Sequence, residues 1–376
     1  MSDRRVVVTD HDFADLGIER AVLSDVAEVI DLSDAPGGGG SNAGDSDDDG
    51  GDGDDRDDGG GTGFEGDGGD TDPEGSLTEA DALLNLRREL GREVIDRLDR
   101  CRIVARYGIG VDNVDLEAAT ERGIHVTNVP GYCVEEVATH ALALALALVR
   151  GVGRYDSSVA RGEWDRDVAA PIRRFSTRTV GVVGFGAIGR AFADRVAALG
   201  ADVVASDPFL SPADLADGPA ELVDFGDLVE RADLASVHSP LTEETRGMFD
   251  ADAFARMKES AFLVNVARGP IVDADALLAA LDAGEIAGAG LDVFPSEPPR
   301  PDHPLRDHPR VIATPHVAWY SEEANEERRR RAAENVRAAL LGDRPADAVN
   351  DVEGDNGVGG AIDDVEGTAN GVDGGT

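Results

Sequence analysis

The chain has 376 residues, enough for two domains with sizeable cores, and a formal net charge of −41. Segments 35–75 and 351–376 carry −13 and −7 of that charge, so −21 stays on the body, an acidity that repels phosphate backbones and excludes nucleic acid as the main partner. Lys258 is the one lysine among 35 basic side chains, and such an acid-rich, lysine-poor surface is that of a halophilic protein whose self-repulsion salt screens.

In chain order, Val6–Val8 and Ala27–Ile30 read as strands separated by a short helix. Residues 35–77 follow, nearly all Gly, Asp and Ser; they bury too little apolar surface to offset their ordering entropy and are expected to form a disordered surface insertion. An α/β alternation resumes with strands at Ala82–Leu84, Ile103–Ala105 and Ile124–Val126 and helices at Glu93–Leu98 and Leu116–Arg122. Ala141–Val149 is the longest apolar run, far too short to span a bilayer, and with Glu135, Glu136 and His140 upstream it reads as a long buried helix. The start, Met-Ser-Asp-Arg-Arg and a three-valine run, predicts no signal peptide. Cys101 and Cys133 lack CxxC spacing, which predicts buried thiols, a cytoplasmic location and no metal.

Thr179–Val183 reads as a buried strand running into Gly184-Phe185-Gly186-Ala187-Ile188-Gly189, with a helix from Arg190 to Leu199. A strand, a Gly-rich turn and a helix N-terminus set backbone N–H groups and the positive end of the helix dipole against a pyrophosphate. Asp207 stands 18 residues past Gly189, after a second apolar run at Ala201–Ser206, where a carboxylate can accept from a ribose diol. The order strand, turn, helix, strand, acid predicts a dinucleotide-binding Rossmann part over about 178–317, with further strands at Leu234–Val237, Ala261–Val266 and Val311–Ala313. A charged helix then runs Glu322–Leu341 with Ala332, Val336, Ala339 and Leu340 on one face, and the chain is expected to cross back there onto the first domain.

Three polar residues follow apparent strands: Arg268, Glu297 and His316. Strand C-termini of an open parallel sheet line the ligand crevice. There an arginine can hold a carboxylate bidentately, and a histidine paired with a carboxylate is a proton donor tunable near neutral pH.

The runs Asn265-Val266-Ala267-Arg268-Gly269, Leu291-Asp292-Val293-Phe294, Ser296-Glu297-Pro298 and Thr314-Pro315-His316 resemble the D-isomer-specific 2-hydroxyacid dehydrogenases. Within that family, Arg106–Asn113, Val134-Glu135-Glu136 and His316–Glu322 look most like the C-terminal binding protein branch. The resemblance implies an α/β architecture, a Rossmann NAD-binding domain (141–317) inserted in a discontinuous, flavodoxin-like substrate-binding domain (1–140 and 318–349), ahead of a disordered acidic tail at 350–376. It implies catalytic Arg268, Glu297 and His316, with His316 as acid–base. NAD would lie on Gly184, Gly186, Ala187, Ile188, Gly189 and Asp207, lined by Ser239, Pro240, Thr245, Val266 and Ala267, with Asp292 meeting the nicotinamide amide. Arg106, Gly108, Ile109 and Gly110 would hold the substrate carboxylate, with Trp319 over its side chain. The implied partners are a small 2-oxo or 2-hydroxy acid and a second copy in a homodimer, with no membrane and no metal. The alternatives are a D-3-phosphoglycerate dehydrogenase, disfavoured because no regulatory domain follows residue 350, and an NADH-sensing corepressor-like binding protein.

Overall fold

The computed structural model describes residues 3–32 and 73–352. The expectation of disorder over 35–72 and 353–376 lies outside the described residues. Contacts divide the chain into two units, Met1–Asn128 with Arg330–Thr376, and Val129–Arg329.

The first unit carries a five-stranded parallel sheet of β1 (Arg5–Val8), β2 (Glu28–Asp31), β3 (Ala82–Asn85), β4 (Ile103–Arg106) and β5 (His125–Thr127), in the order β2-β1-β3-β4-β5. That is the flavodoxin-like order. Val6, Val7 and Val8 are fully buried, as unbroken apolar runs are when helices cover both faces of a parallel sheet. The helices are α1 (Gly17–Leu23), α2 (Pro73–Thr78), α3 (Arg92–Ile95) and α4 (Leu116–Glu121); Asp115 caps α4 by accepting from the Ala118 N–H at 2.9 Å. Two expectations are corrected here. Residues 73–77, assigned to the disordered insertion, open helix α2, because Leu77 finds a place in the core beside Val7 and Leu83. Asn350, assigned to the tail, is tied down: its Oδ1 accepts from the Val126 N–H at 2.8 Å and its Nδ2 donates to the Ile124 carbonyl at 2.9 Å.

The second unit begins with α5 (Val134–Arg150) and α6 (Val152–Ala160) and then forms a seven-stranded parallel sheet. Its strands are β6 (Thr179–Val183), β7 (Asp202–Ser206), β8 (Ala220–Leu222), β9 (Leu234–Val237), β10 (Phe262–Asn265), β11 (Gly288–Leu291) and β12 (Val311–Ala313). The order β12-β11-β10-β9-β6-β7-β8 is doubly wound and reverses direction between β6 and β9, which is where such sheets open a crevice. Helices α7 (Ala187–Ala198), α8 (Phe225–Arg231), α9 (Ala251–Arg256) and α10 (Ala274–Ala283) cover it, and Leu228, Phe249, Phe254 and Leu263 lie at the centre of its core.

The borders differ from those expected at 140/141 and 317/318. All of α5 belongs to the second unit because it packs on α7, β10 and β11; a Cβ on Gly290 of β11 would stand 3.2 Å from the Leu144 Cβ. The segment after His316 also stays there, since Ser321 Oγ donates to Glu136 at 2.7 Å. Helix α11 (Glu322–Leu341) therefore starts in the second unit and ends in the first. Ala332, Val336, Ala339 and Leu340 are buried along it.

Candidate active site

The glycine loop joins β6 to α7 at the point where the strand order reverses. Helix α7 begins at Ala187, three residues before the expected Arg190, so Ala187, Ile188 and Gly189 form its first turn and carry its unpaired N–H donors. Gly184 has a φ of +85°, and a Cβ there would stand 2.5 Å from the Ser239 nitrogen. Gly189 packs its α-carbon against the Gly184 carbonyl, where a Cβ would come within 2.2 Å. Gly186 differs: a Cβ there would meet no atom within 4 Å, so its backbone faces open space. Ser239 is 8 % exposed, and its Oγ is buried without a hydrogen-bond partner. An open cradle beside N–H donors and an orphaned hydroxyl fit a dinucleotide phosphate.

Asp207 sits at the C-terminal end of β7, half-buried. Its Oδ2 accepts from the Phe185 N–H at 2.9 Å and its Oδ1 from the Phe209 N–H at 3.0 Å, so it braces the loop it borders. Thr245 Oγ donates to the Pro240 carbonyl at 2.7 Å and shapes the loop after β9. Beside it His238, at the end of β9, buries its ring Nδ1 without a partner while Nε2 lies 2.8 Å from Ser236 Oγ. Burial pushes this imidazole down to about 3, so it is neutral at every physiological pH.

Arg268, Glu297 and His316 come together in this same unit. Asn265, 1 % exposed, folds the turn that carries Arg268: its Oδ1 accepts from the Ala267 N–H at 3.1 Å and its Nδ2 donates to the Arg268 carbonyl at 2.9 Å. Val266 is buried in that turn and Ala267 half-buried. A Cβ on Gly269 would fall 2.0 Å from the Phe294 carbonyl carbon, so only glycine lets this turn close against the one leading to Glu297. Glu297 Oε1 accepts from the Phe294 N–H at 3.0 Å, and Oε2 lies 2.5 Å from His316 Nδ1. Burial raises the Glu297 carboxyl, but the hydrogen bond and charge of His316, the Phe294 N–H and the charge of Arg268 outweigh it and hold it below the usual carboxylate range. An ionised Glu297 can only accept, so Nδ1 of His316 is the donor and Nε2 is directed away from the carboxylate.

His316 has a φ of +55°, a left-handed backbone that a residue with a Cβ rarely adopts. Hydrogen bonds over-determine it. Its N–H donates to the Asp292 carbonyl at 2.8 Å, and its own carbonyl accepts from Trp319 Nε1 at 3.0 Å. The Asp292 carboxylate, 1 % exposed, accepts from Thr314 Oγ1 at 2.5 Å, the Val317 N–H at 3.0 Å and the Ala318 N–H at 2.9 Å. His140 Nε2 lies 3.0 Å from Thr314 Oγ1. Asp292, assigned to a nicotinamide amide from the sequence, thus has its carboxylate engaged in holding the segment that carries His316. Trp319, assigned to a substrate side chain, stacks beneath the Arg328 guanidinium, whose carbon stands 3.7 Å from the ring centroid. Asn265, Thr314, His140 and Arg328 serve the site beyond the residues expected from the sequence, where only the polar Asn265 and Thr314 next to Arg268 and His316 give a local signal.

Arg106, in the first unit, is buried at the end of β4. It donates through Nε to the Gly110 carbonyl at 3.0 Å, and to Asn85 Oδ1 at 3.1 Å and the Leu86 carbonyl, so it shapes the turn at Gly108–Gly110. Ile109 in that turn is 37 % exposed, and its carbonyl accepts from Asn128 Nδ2 at 2.8 Å. Both cysteines are buried, and burial pushes each thiol up to about 12, which leaves them unreactive. Among the described residues no group of three or more His, Cys, Asp or Glu could hold a metal ion, and no single helix is long and apolar enough to cross a membrane.

A doubly wound sheet with a glycine cradle at its switch point and a carboxylate–histidine pair beside an arginine defines a dinucleotide-binding α/β protein equipped for proton transfer. Residues 142–318 match the family model described as D-isomer specific 2-hydroxyacid dehydrogenase, NAD binding domain, and that stretch is an NAD-binding domain of this kind. It is 44 % identical over 276 residues to a D-3-phosphoglycerate dehydrogenase of Mycobacterium leprae, covering 73 % of this chain and 52 % of that one. The chain spans about half the length of the curated relatives it matches. Among solved structures it resembles the TT0316 protein from Thermus thermophilus, at 32 % identity and a TM-score of 0.73, over 92 % of this chain and 100 % of that one. It also resembles a D-lactate dehydrogenase from Aquifex aeolicus complexed with NAD and lactic acid, at 26 % identity and a TM-score of 0.74, over 90 % and 96 % of the two chains.

Proposed function

We propose that the chain is an NAD-dependent D-2-hydroxyacid dehydrogenase that interconverts the C2 carbonyl of a small 2-oxo acid and the corresponding alcohol. The observation that carries this reading is the 2.5 Å pair of Glu297 and His316 beside Arg268, in the unit whose sheet bears the glycine cradle. The loop 184–189, with Asp207 and the residues after β9 and β10, would hold the dinucleotide, whose chemistry would be to supply or accept the hydride. His316 gives a proton from Nε2 to the substrate oxygen during reduction and takes it back during oxidation. Glu297 accepts from Nδ1, which fixes the tautomer and the orientation of the ring. Arg268 orients the substrate by its carboxylate and polarises the carbonyl.

Two substrate classes follow from different observations. Trp319 supports an apolar tail, as the C-terminal binding protein-like run His316–Glu322 does. The relatives named D-3-phosphoglycerate dehydrogenase support a phosphorylated one. A halophilic, cytoplasmic enzyme accords with the acidic body and the buried thiols, and a homodimer with Trp164, 92 % exposed. The test is turnover of a panel of 2-oxo acids by the full chain with NADH in molar KCl, with phosphohydroxypyruvate in the panel. Apolar 2-oxo acids should give the higher kcat/KM; phosphohydroxypyruvate best by tenfold assigns the phosphoglycerate reaction. Binding of NADH without turnover of any member would leave the NADH-sensing corepressor-like reading.

A further inference from the structure

Segment 314–321, which carries His316, is irregular between β12 and α11, and it is tied to one face of helix α5 at both ends. Glu136 and His140 stand four residues apart on α5, the spacing that brings two side chains to one face. His140 Nε2 lies 3.0 Å from Thr314 Oγ1, ahead of His316, and Glu136 Oε1 accepts from Ser321 Oγ at 2.7 Å, beyond it.

The Thr314 hydroxyl spends its single hydrogen on the Asp292 carboxylate at 2.5 Å, so toward His140 it can only accept. Nε2 of His140 therefore carries a proton, and the imidazole sets the rotor that aims the Thr314 hydroxyl at Asp292. Ser321 is committed in the same way. Its oxygen accepts from the Ala324 N–H at 2.9 Å, in the first turn of α11, while its hydrogen goes to Glu136. The helix that makes both contacts is a rigid support. Val137, Ala138, Ala141, Leu144 and Ala145 are buried along it, and it packs on β10, which leads to Arg268, and on β11, which leads to Asp292.

We propose that Glu136 and His140 are positioning residues, a two-point anchor through which α5 holds the His316 segment in place. Both act through Thr314 and Ser321 rather than on the substrate. The effect of the anchor on turnover rests on the dehydrogenase reading above; its effect on the segment does not.

The experiment compares the full-length wild type with His140→Leu and Glu136→Leu, which delete the anchors, and with His140→Gln and Glu136→Gln, which keep a donor and an acceptor at similar reach. Amide hydrogen exchange over 314–321 is read by mass spectrometry beside that of the glycine loop 184–189, and kcat, KM and the NADH dissociation constant are measured with the best 2-oxo acid of the panel. Each Leu variant should exchange about fivefold faster over 314–321 with the glycine loop unchanged, and should lose about fivefold in kcat with KM and NADH binding kept. The Gln variants should restore both readouts. Side chains that merely pack would lower Tm with no preference for 314–321 and no rescue by Gln, which overturns the anchor. Faster exchange over 314–321 in the Leu variants, beside a wild type that turns over no 2-oxo acid, upholds the anchor and overturns the dehydrogenase reading. Should a Leu variant not fold, Thr314→Val and Ser321→Ala remove the same bonds from the other side; wild-type exchange over 314–321 in both overturns the anchor.

Discussion

The Nε1–H of Trp319 donates to the main-chain carbonyl of His316 at 3.0 Å and so fastens a histidine whose backbone is left-handed, at a φ of +55°. Such a conformation costs about 1–3 kcal/mol and persists where its surroundings over-determine it. Here three side chains do so: Trp319 through the carbonyl, Glu297 through ring Nδ1, and Asp292 through the two N–H groups that follow. The position of His316 is therefore set by packing made before any substrate arrives.

Trp319→Phe keeps a ring for Arg328 to stack on and removes the one N–H that holds His316. A neutral hydrogen bond is worth about 1 kcal/mol, so kcat should fall about fivefold while the NADH dissociation constant stays put. Trp319→Ala, which also unstacks Arg328, should lose more. Steady-state rates beside NADH fluorescence titrations separate the two effects; an unchanged kcat in Trp319→Phe would remove the indole from the alignment of His316.

His316→Ala should lower turnover by about 10²–10⁴-fold with NADH binding retained, the loss expected for a positioned acid. Glu297→Gln should be milder, because the ring keeps its place but loses the carboxylate that fixes its tautomer. A kcat of Glu297→Gln equal to that of the wild type would dissociate the pair from catalysis.

The strands and the glycine loop were legible because their signals are local: unbroken valine runs, a glycine triplet, an acid at a fixed remove. Strand β11 was not. Gly288-Ala289-Gly290-Leu291 lacks β-branched residues, and it is a strand because Leu144 and Leu148 of α5 press where a larger side chain would stand. The start of α2 inside a Gly/Asp run depends likewise on Leu77 finding a distant core. Arg268, Glu297 and His316 could be named from short runs, but the partners of Asp292 could not. Its carboxylate serves donors 22 to 26 residues onward, a closure that no periodicity announces.

His238 makes stability depend on pH. Its folded imidazole stays neutral down to about 3, against 6.5 when unfolded, so the unfolded chain binds the extra proton throughout that window. Stability should therefore fall as pH falls from 6.5 toward 3, by about 1.4 kcal/mol per unit from this group. Glu297 acts lower down: its depressed carboxyl contributes above the unfolded value of 4.5, and that contribution is lost as pH drops through the folded value. His238→Gln should flatten the slope between pH 6.5 and 5 in denaturant titrations, and Glu297→Gln should leave that interval alone. A wild-type slope in His238→Gln there would mean the buried ring is not the source.

NADH should be used in preference to NADPH by tenfold or more in kcat/KM, about 1.4 kcal/mol, since Asp207 would repel a 2′-phosphate. No arginine stands among Ser206–Phe209 to receive one. Asp207→Ala should narrow the preference and also weaken NADH, because the Phe185 and Phe209 N–H groups lose their acceptor. Equal kcat/KM for the two cofactors in the wild type would sink the assignment.

Asp292 should behave as a positioning residue. Its carboxylate takes the Thr314 hydroxyl and the Val317 and Ala318 N–H groups, and an amide in its place would turn an NH2 toward at least one of those donors. Leaving a buried donor unpaired costs about 1–3 kcal/mol. Asp292→Asn should therefore lower kcat by about 10- to 100-fold and reduce Tm. Thr314→Val, which removes one of the same bonds, should cost less alone and add little on top of Asp292→Asn, since both changes loosen one segment. If the two losses instead multiply in full, the carboxylate and the hydroxyl act on catalysis separately, and the clamp on the His316 segment is not how Asp292 serves the site.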